Sequence, residues 1–261
     1  MNNQPIGVFD SGVGGLSILL EIQKLLPLES TLFVADQAYV PYGGKSKTQL
    51  LNRVTRILDF FEEKEVKVVV AACNTATVYT INEMREKFKF PIIGTVPVVK
   101  TIASLTKTGK TAVFSTPATA KSEYLQELIK KFADNVEVEC IGGSNLEELV
   151  EKGEVDSLET RKTLKRVLDP LVKGGVDAIA LGCTHYPFLR RQIEEIVGKN
   201  VSVVDSGGAV ARRLKEVLTH ENMLADTKKV DVYYTTGEAK KFNEVASKLL
   251  DKKIEGLMIK L

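Results

Sequence analysis

The sequence predicts an α/β protein built from two pseudo-symmetric α/β domains with mainly parallel sheets. Short runs rich in Val, Ile and Phe alternate with stretches of helical periodicity along 261 residues, which is typical of parallel strands joined by helices. Most of these runs do not alternate in polarity, as expected for strands that helices cover on both faces. A chain of this length forms one large domain or two of ordinary size.

Nine apolar segments are predicted to be strands, because each is short, rich in β-branched residues and bounded by polar or turn-forming residues. In chain order they are PIGVF, STLFVA, VKVVVAA, FPIIG, KTAVFST, VEVEC, VDAIALG, VSVVD and VDVYYTT. The stretch 48–65 is predicted to be a helix, since its apolar residues recur at spacings of three and four. They are Leu51, Val54, Ile57, Leu58 and Phe61.

Two pairs of similar segments indicate that the chain consists of two related halves. VVVAACNT and AIALGCTH each run from a strand through a small residue to a cysteine and two polar residues, and FDSGVGG and VDSGGAV form a weaker pair. Chance repetition within an α/β protein is the alternative. We expect residues 1–97 with 208–261 to form one domain and residues 98–207 the other. The active site is then expected in the cleft between them, at the carboxyl ends of strands.

The charge and composition exclude several classes of function. The net charge is +2, from 36 basic and 34 acidic residues without long runs of one sign, so we expect no nucleic-acid partner and no membrane surface as partner. The first residues, MNNQPIGVFDSG, lack the basic and apolar regions of a secretory signal, which favours a cytoplasmic location. Three cysteines in a reducing compartment are expected to be free thiols.

Two of the three cysteines are candidate catalytic groups. Cys73 and Cys183 each follow an apolar run, and each is expected at or near the start of the next helix. The free N–H groups and the dipole of such a helix would lower the thiol pKa below its usual value of about 8.5. Burial in the core is the alternative for either cysteine alone, whereas two matching contexts favour a function. Cys140 has no such context and is expected to be structural.

One of the two histidines stands two residues after a cysteine. The His185 imidazole can set the ionisation of the Cys183 thiol or carry its proton. A metal site is disfavoured because the C-x-H spacing supplies two ligands at most, and redox chemistry is disfavoured because no C-x-x-C is present. No metal is therefore expected. His220 lies in a polar segment and is expected at the surface.

A glycine-rich turn follows the first predicted strand. Asp10 and Ser11 precede Gly12, Gly14 and Gly15, and such a turn exposes backbone N–H groups to an anion. It lacks the G-K-[ST] that closes a Walker A loop. A carboxylate at this place suits a ligand that also carries an ammonium group; the alternative is that Asp10 caps the helix.

Two further loops carry candidate ligand-binding groups. Pro41, Tyr42 and Gly43 lie in a loop dense in turn formers, where the backbone can approach a small ligand. Thr116 and Thr119 supply hydroxyl groups after another predicted strand. Ordinary turn chemistry is the alternative for both loops.

These segments together resemble the glutamate racemases of the aspartate/glutamate racemase family, which make D-glutamate for peptidoglycan without a cofactor. The resemblance rests on motifs in the family's order between residue 7 and about residue 211: GVFDSGVGGLS, ADQAYVPYGGKS, AACNTAT, GTVPVVK, TPATAKSEY, GCTHYPFL and DSGGAVA. It implies that Cys73 and Cys183 are the catalytic cysteines. It implies two α/β domains that face each other across the substrate, no cofactor, and a homodimer.

The resemblance also implies a set of glutamate-binding positions. They are Asp10, Ser11, Tyr42, Gly43, Asn74, Thr75, Thr119, Thr184 and His185. One segment departs from the family, which commonly has a Cys-Pro pair before a supporting acidic residue; here Cys140 is followed by Ile141. Glu147, Glu148 and Glu151 compete for the acidic role, and we favour Glu151.

The chemistry of racemisation explains why two thiols are needed. One group must remove the Cα proton from one face while a second group returns a proton to the other face. His185 is then the natural partner of Cys183, and Asp10 either serves Cys73 or pairs with the substrate ammonium. Aspartate racemase, whose relatives typically carry Glu in place of His185, is the nearest alternative. A non-catalytic carboxylate-binding protein on the same scaffold is the other.

Overall fold

The structure, a computed structural model, describes residues 2–261 and forms ten strands within them. The strands are β1 (Ile6–Asp10), β2 (Thr31–Ala35), β3 (Val68–Ala71), β4 (Ile92–Gly94), β5 (Lys110–Ser115), β6 (Glu137–Gly142), β7 (Ala178–Leu181), β8 (Ser202–Asp205), β9 (Val232–Thr235) and β10 (Gly256–Met258). Every strand pair is parallel. The predicted α/β class with mainly parallel sheets is confirmed.

Helices connect most consecutive strands. They are α1 (Leu16–Leu25), α2 (Lys47–Glu63), α3 (Asn74–Lys87), α4 (Val99–Leu105), α5 (Pro117–Ala120), α6 (Glu123–Phe132), α7 (Leu146–Glu151), α8 (Leu158–Lys173), α9 (Arg190–Val197), α10 (Gly207–His220) and α11 (Ala239–Leu250). Short 3₁₀ turns lie at Tyr42–Gly44 and Tyr186–Leu189. Over residues 2–261, no helix has both the length and the apolar character that crossing a membrane requires.

The chain divides into two compact units. The first comprises the residues up to Thr95 together with Gly207–Leu261, and its sheet has the strand order β10-β9-β2-β1-β3-β4. The second comprises Val96–Ser206, and its sheet has the order β6-β5-β7-β8. Neighbouring parallel strands end at the same edge of a sheet, so each unit gathers the residues that follow its strands.

Burial of the central strands explains why the sheets form. All residues of β1, β2 and β3 are buried, and helix α2 packs its apolar face, including Leu50, Val54 and Phe61, into the same core. Burying each such aliphatic or aromatic side chain stabilises the fold by about 1.5–3 kcal/mol. A capping box of Ser46 and Gln49 begins α2, and the helix ends at Glu63, two residues earlier than predicted.

All nine predicted strands are present, and one strand was missed. The missed strand, β10, has three residues, lies at the sheet edge, and leaves Leu257 and Met258 more than half exposed. An edge strand of this length has neither a buried apolar run nor a clear alternation in its sequence. Its pairing with β9 depends on the tertiary fold.

Candidate active site

In the first unit, polar side chains follow three neighbouring strands. Asp10 ends β1, Asp36 follows β2, and Cys73 lies two residues beyond the end of β3. The strands are adjacent in the order β2-β1-β3, so these residues lie at one edge of the sheet. This edge is the candidate site of the first unit.

The Asp10 carboxylate is held by the glycine-rich turn. Its Oδ2 atom accepts hydrogen bonds from the N–H of Gly15 at 2.8 Å and from the N–H of Gly12 at 3.4 Å. A Cβ atom on Gly15 would lie 2.6 Å from the Cβ of Asp10, so this position requires glycine. The turn therefore fixes the side chain of Asp10, which is fully buried.

The Cys73 thiol is the N-cap of α3. Its Sγ atom accepts the N–H of Ala76 at 3.5 Å, and the thiol points to the Ser11 hydroxyl oxygen at 3.8 Å. Burial raises the thiol pKa well above its ordinary value, and the negative charge of Asp10 raises it further, while the contacts with Ala76 and Ser11 oppose this shift. Cys73 is thus held as a neutral thiol at neutral pH.

Asn74 presents a buried amide beside this thiol. Asn74 is the first residue of α3 and is 3 % exposed. Within the described residues, neither its Oδ1 nor its Nδ2 has a hydrogen-bond partner. A buried polar group without a partner is destabilising by about 1–3 kcal/mol, so such a group suits a ligand that supplies the missing bonds. The next residue, Thr75, is also buried.

The predicted loop around Tyr42 is held by a hydrogen bond to an aspartate. Pro41 precedes the 3₁₀ turn that contains Tyr42 and Gly43, and the Tyr42 hydroxyl donates a 2.7 Å hydrogen bond to Asp36 Oδ2. Burial and then the charge of Asp36 raise the Tyr42 pKa well above its ordinary value. The hydroxyl is thus engaged within the protein and the ring is buried in the core, so only the backbone of the loop is left to contact a ligand.

Asp36 and Arg53 are site-supporting residues that the sequence analysis missed. Arg53 binds both oxygens of the Asp36 carboxylate, with Nε–Oδ2 at 2.8 Å and Nη2–Oδ1 at 2.5 Å, and Thr236 donates to Oδ1 at 2.7 Å. Two signals were available. Asp36 directly follows a predicted strand, and Arg53 is a charged residue on the otherwise apolar face of α2.

In the second unit, the corresponding thiol lies in a different local structure. Cys183 follows β7 and is 5 % exposed, as Cys73 is. It precedes a 3₁₀ turn, and the next α-helix, α9, begins only at Arg190. Cys183 thus lies near the start of a 3₁₀ turn, as expected, but outside the first turn of α9, and its surroundings include the side chain of His185.

An imidazole and a carboxylate form the surroundings of Cys183. The His185 Nδ1 atom lies 3.7 Å from the Cys183 sulfur, and Nε2 lies 2.8 Å from Oε1 of Glu151 at the end of α7. Burial lowers the His185 pKa, but the hydrogen bonds to Cys183 and Glu151 outweigh it, so the pKa lies well above its ordinary value. Of the three competing glutamates, Glu151 therefore contacts His185, whereas Glu148 pairs with Lys152.

The Cys183 pKa reflects two opposing effects. Burial raises it, and the hydrogen bond and charge of His185 lower it, with a net shift upward. The predicted downward shift of the thiol pKa is thus wrong for both cysteines. The physical reason is that burial removes the water that would solvate a thiolate, which outweighs the favourable backbone dipoles.

The predicted hydroxyl groups of the second unit are buried at the ends of its strands. Thr116 follows β5 and caps α5, accepting the N–H of Thr119 at 3.1 Å and donating to the Thr119 hydroxyl at 3.1 Å. Thr184 lies between Cys183 and His185 and is buried. The structure thus places the predicted residues of this unit at one edge of its sheet.

The remaining predictions concern metals and thiols. All three cysteines are free, and Cys140 is half-buried on β6. Within residues 2–261, no group of three or more His, Cys, Asp and Glu side chains is arranged to hold a metal ion. His220 is exposed, as predicted.

Comparison with known proteins identifies the class. Residues 17–214 match the Asp/Glu/Hydantoin racemase family. Glutamate racemase from Pseudomonas putida (strain W619) is 44 % identical over 223 residues, which are 85 % of this chain and 84 % of that protein. The fold and these matches define an amino-acid racemase, an isomerase. The chain belongs to the Asp/Glu/Hydantoin racemase family.

Solved structures share the fold over the whole chain. Glutamate racemase isoform RacE1 from Bacillus anthracis superposes with a TM-score of 0.90 at 31 % identity, over 100 % of this chain and 99 % of that one. Escherichia coli glutamate racemase, in complex with L-glutamate and the activator UDP-MurNAc-ala, has a TM-score of 0.87 at 33 % identity, over 98 % and 97 % of the chains. Aspartate racemase from Picrophilus torridus shares the fold alone, with a TM-score of 0.52 at 21 % identity over 82 % and 94 % of the chains.

Proposed function

We propose that this racemase interconverts L- and D-glutamate without a cofactor, with Cys73 and Cys183 acting on opposite faces of the substrate Cα. The observation that carries the proposal is the pair of buried thiols at strand ends, each with its own ionisable partner. Relatives at 33 % and 30 % identity bind L-glutamate and D-glutamate, respectively. Both enantiomers are thus accommodated on this fold.

The proton balance of the reaction assigns the roles. In one direction a thiolate removes the Cα proton and becomes a thiol, while the second thiol gives its proton to the opposite face and becomes a thiolate. The reverse direction exchanges the roles. His185 accepts the proton of Cys183 and returns it, with Glu151 holding the imidazole at 2.8 Å.

The Cα proton of an amino acid is weakly acidic, so charge on the substrate carboxylate must be stabilised as the proton leaves. Ser11, Asn74, Thr75 and Thr184 are buried donors at the two strand edges and are assigned to that carboxylate. The unpartnered amide of Asn74 has a donor and an acceptor ready for this contact. Asp10 is assigned to the substrate ammonium or to the proton of Cys73.

The remaining assigned positions complete the substrate site. They are Pro41, Tyr42, Gly43, Thr116 and Thr119, with His185 also as a binding residue. The enzyme is proposed to be a cytoplasmic homodimer that supplies D-glutamate for peptidoglycan.

The test is racemisation in heavy water. Dialysed protein is incubated with L-glutamate without added cofactor, and circular dichroism and the deuterium content at Cα are followed. We expect the optical signal to decay, and at low conversion we expect deuterium in the D-glutamate formed and not in the remaining L-glutamate. Unchanged glutamate alongside racemised aspartate would instead assign the aspartate activity.

Variants of the cysteines test the two-base assignment. Cys73→Ser and Cys183→Ser are each expected to lower kcat by about 10³-fold or more, since each removes an acid–base group that contributes about 10²–10⁴-fold. Cys140→Ser is the matched control, because Cys140 is a free cysteine on β6 outside both clusters, and it should keep kcat within about twofold. Full activity in either of the first two variants would refute the mechanism.

A further inference from the structure

One tyrosine next to the Cys183 site has its hydroxyl group in contact with two other segments. Tyr186 directly follows His185 and is completely buried. Its hydroxyl lies 3.1 Å from the carbonyl oxygen of Ser115 and 3.2 Å from that of Gly143. A hydroxyl carries one proton, so both carbonyls share the same donor.

The two carbonyls belong to segments that carry other site residues. Ser115 ends β5, and the next residue is Thr116. Gly143 follows β6 and leads into α7, which ends at Glu151. The hydroxyl of Tyr186 therefore joins three segments that hold the threonines, the glutamate and the thiol–imidazole pair of this unit.

The hydroxyl is closely packed on the side of Gly143. A Cβ atom on Gly143 would lie 2.6 Å from the Tyr186 hydroxyl oxygen, so glycine makes space for it. The Ser115 carbonyl also accepts the N–H of Gly143 at 2.8 Å, which closes the contact between β5 and β6. The Tyr186 ring packs against Phe114, with ring centroids 4.6 Å apart.

We propose that Tyr186 is a positioning residue of the racemase, whose hydroxyl aligns the Cys183–His185–Glu151 arrangement through the ends of β5 and β6. The inference rests on the proposed function, because it refers to the catalytic role of Cys183. Proton transfer depends steeply on the placement of donor and acceptor, so a shift of a fraction of an ångström lowers the rate. The ring supplies packing, and the hydroxyl supplies alignment.

The test is Tyr186→Phe, which keeps the ring and removes the hydroxyl. We expect kcat to fall about tenfold in both directions, with KM for glutamate within about twofold, since the shared hydrogen bond that is lost aligns the Cys183–His185–Glu151 arrangement. The control is Tyr234→Phe, a half-buried tyrosine on β9 whose ring packs against Phe60. It should leave kcat unchanged.

A second measurement separates alignment from general loosening. The pH dependence of alkylation by iodoacetamide is followed at Cys183 and Cys73 in the same molecules by mass spectrometry. His185 lowers the Cys183 pKa, so loosening their contact should move the alkylation midpoint of Cys183 to higher pH. The midpoint of Cys73 should stay unchanged.

Gly143→Ala gives an independent variant, because it keeps Tyr186 and displaces its hydroxyl. It should also move the alkylation midpoint of Cys183 to higher pH. Wild-type kcat and an unchanged Cys183 midpoint in Tyr186→Phe would overturn the proposal. Equal shifts at both cysteines, or loss of the far-ultraviolet circular dichroism of the fold, would overturn it as well.

The alkylation measurement needs no racemase activity. If the wild-type protein fails to racemise glutamate, the proposed function fails, while the shift at Cys183 still decides the link between Tyr186 and the thiol.

Discussion

Cys73 and Cys183 follow similar sequences but stand in different surroundings. Cys73 caps a helix beside the carboxylate of Asp10, whereas Cys183 lies in a turn beside the imidazole of His185. Burial raises the pKa of both thiols. Asp10 adds to that rise at Cys73, and His185 opposes it at Cys183.

The difference shows how one fold places two buried thiols beside neighbours that shift their pKa values in opposite directions. A negative neighbour disfavours the thiolate, and an imidazole that accepts the proton favours it. The pKa of Cys73 is therefore raised more strongly than that of Cys183, which fits the proposal that the Cys183–His185 pair acts as the base. Removing each neighbour should therefore move the pKa of its own thiol, upward for Cys183 without His185 and downward for Cys73 without Asp10.

The largest effects are expected from substituting the side chain next to each thiol, His185 beside Cys183 and Asp10 beside Cys73. His185→Asn should lower kcat by about 10²–10³-fold, because it removes the group that we propose as proton acceptor of Cys183. A thiol with a higher pKa stays protonated to higher pH, so the alkylation midpoint of Cys183 should move up. Asp10→Asn removes a charge that raises the Cys73 pKa, so the midpoint of Cys73 should move down.

Each variant has its reference within the same molecule. In His185→Asn the midpoint of Cys73 should not change, and in Asp10→Asn that of Cys183 should not change. Mass spectrometry of the alkylated peptides reads both. Parallel movement of the two thiols in either variant would contradict the separate pairing of each cysteine.

A smaller effect is expected from the carboxylate behind the imidazole. Glu151→Gln removes a contact that raises the His185 pKa, so this pKa should fall and kcat should drop about tenfold. The protein has two histidines, and the spectrum of the exposed His220 serves as reference in an NMR titration. Glu148→Gln is the matched control, since Glu148 pairs with Lys152 at the surface. An unchanged His185 titration in Glu151→Gln would remove Glu151 from this role.

The smallest effect on turnover is expected at Asp36, which accepts the hydrogen bond of the Tyr42 hydroxyl in the first unit. Asp36→Asn leaves the Arg53 guanidinium without its buried carboxylate and should destabilise the fold by about 3 kcal/mol, read from urea unfolding. Because Asp36 holds the hydroxyl of Tyr42, KM should rise severalfold while kcat changes less. Asp59→Asn, on the same helix, is the control. A loss of stability with KM unchanged would show that Asp36 supports the fold and not the loop.

Local sequence predicted the elements well where they are buried. The runs VVVAA and AIALG become β3 and β7, because apolar stretches without alternation need cover on both faces. The edge strand β10 escaped prediction, since its pairing comes from β9 and not from its own residues. The predicted end of α2 was two residues too late; Glu65 adopts a positive φ beyond the helix.

The sequence indicated several residues of the candidate site, but it indicated few of the contacts between their side chains. The cysteines, Asp10 and His185 stand out in the sequence because strand ends and turns mark them. The buried pair of Asp36 and Arg53 was missed, since 17 positions separate its members along the chain. The hydroxyl of Tyr186 was missed for the same reason, as its partners lie at the ends of two other strands.

The sequence by itself determined the alternation of strands and helices, the place of each cysteine after a buried strand, and the order of the family's motifs. Only the tertiary structure decided the direction in which the thiol pKa values shift, the choice of Glu151 as the partner of His185, and the hydrogen bond that holds Tyr42 to Asp36. The physical reason is that burial and charge at a side chain arise from residues distant along the chain, which the fold alone brings within a few ångströms.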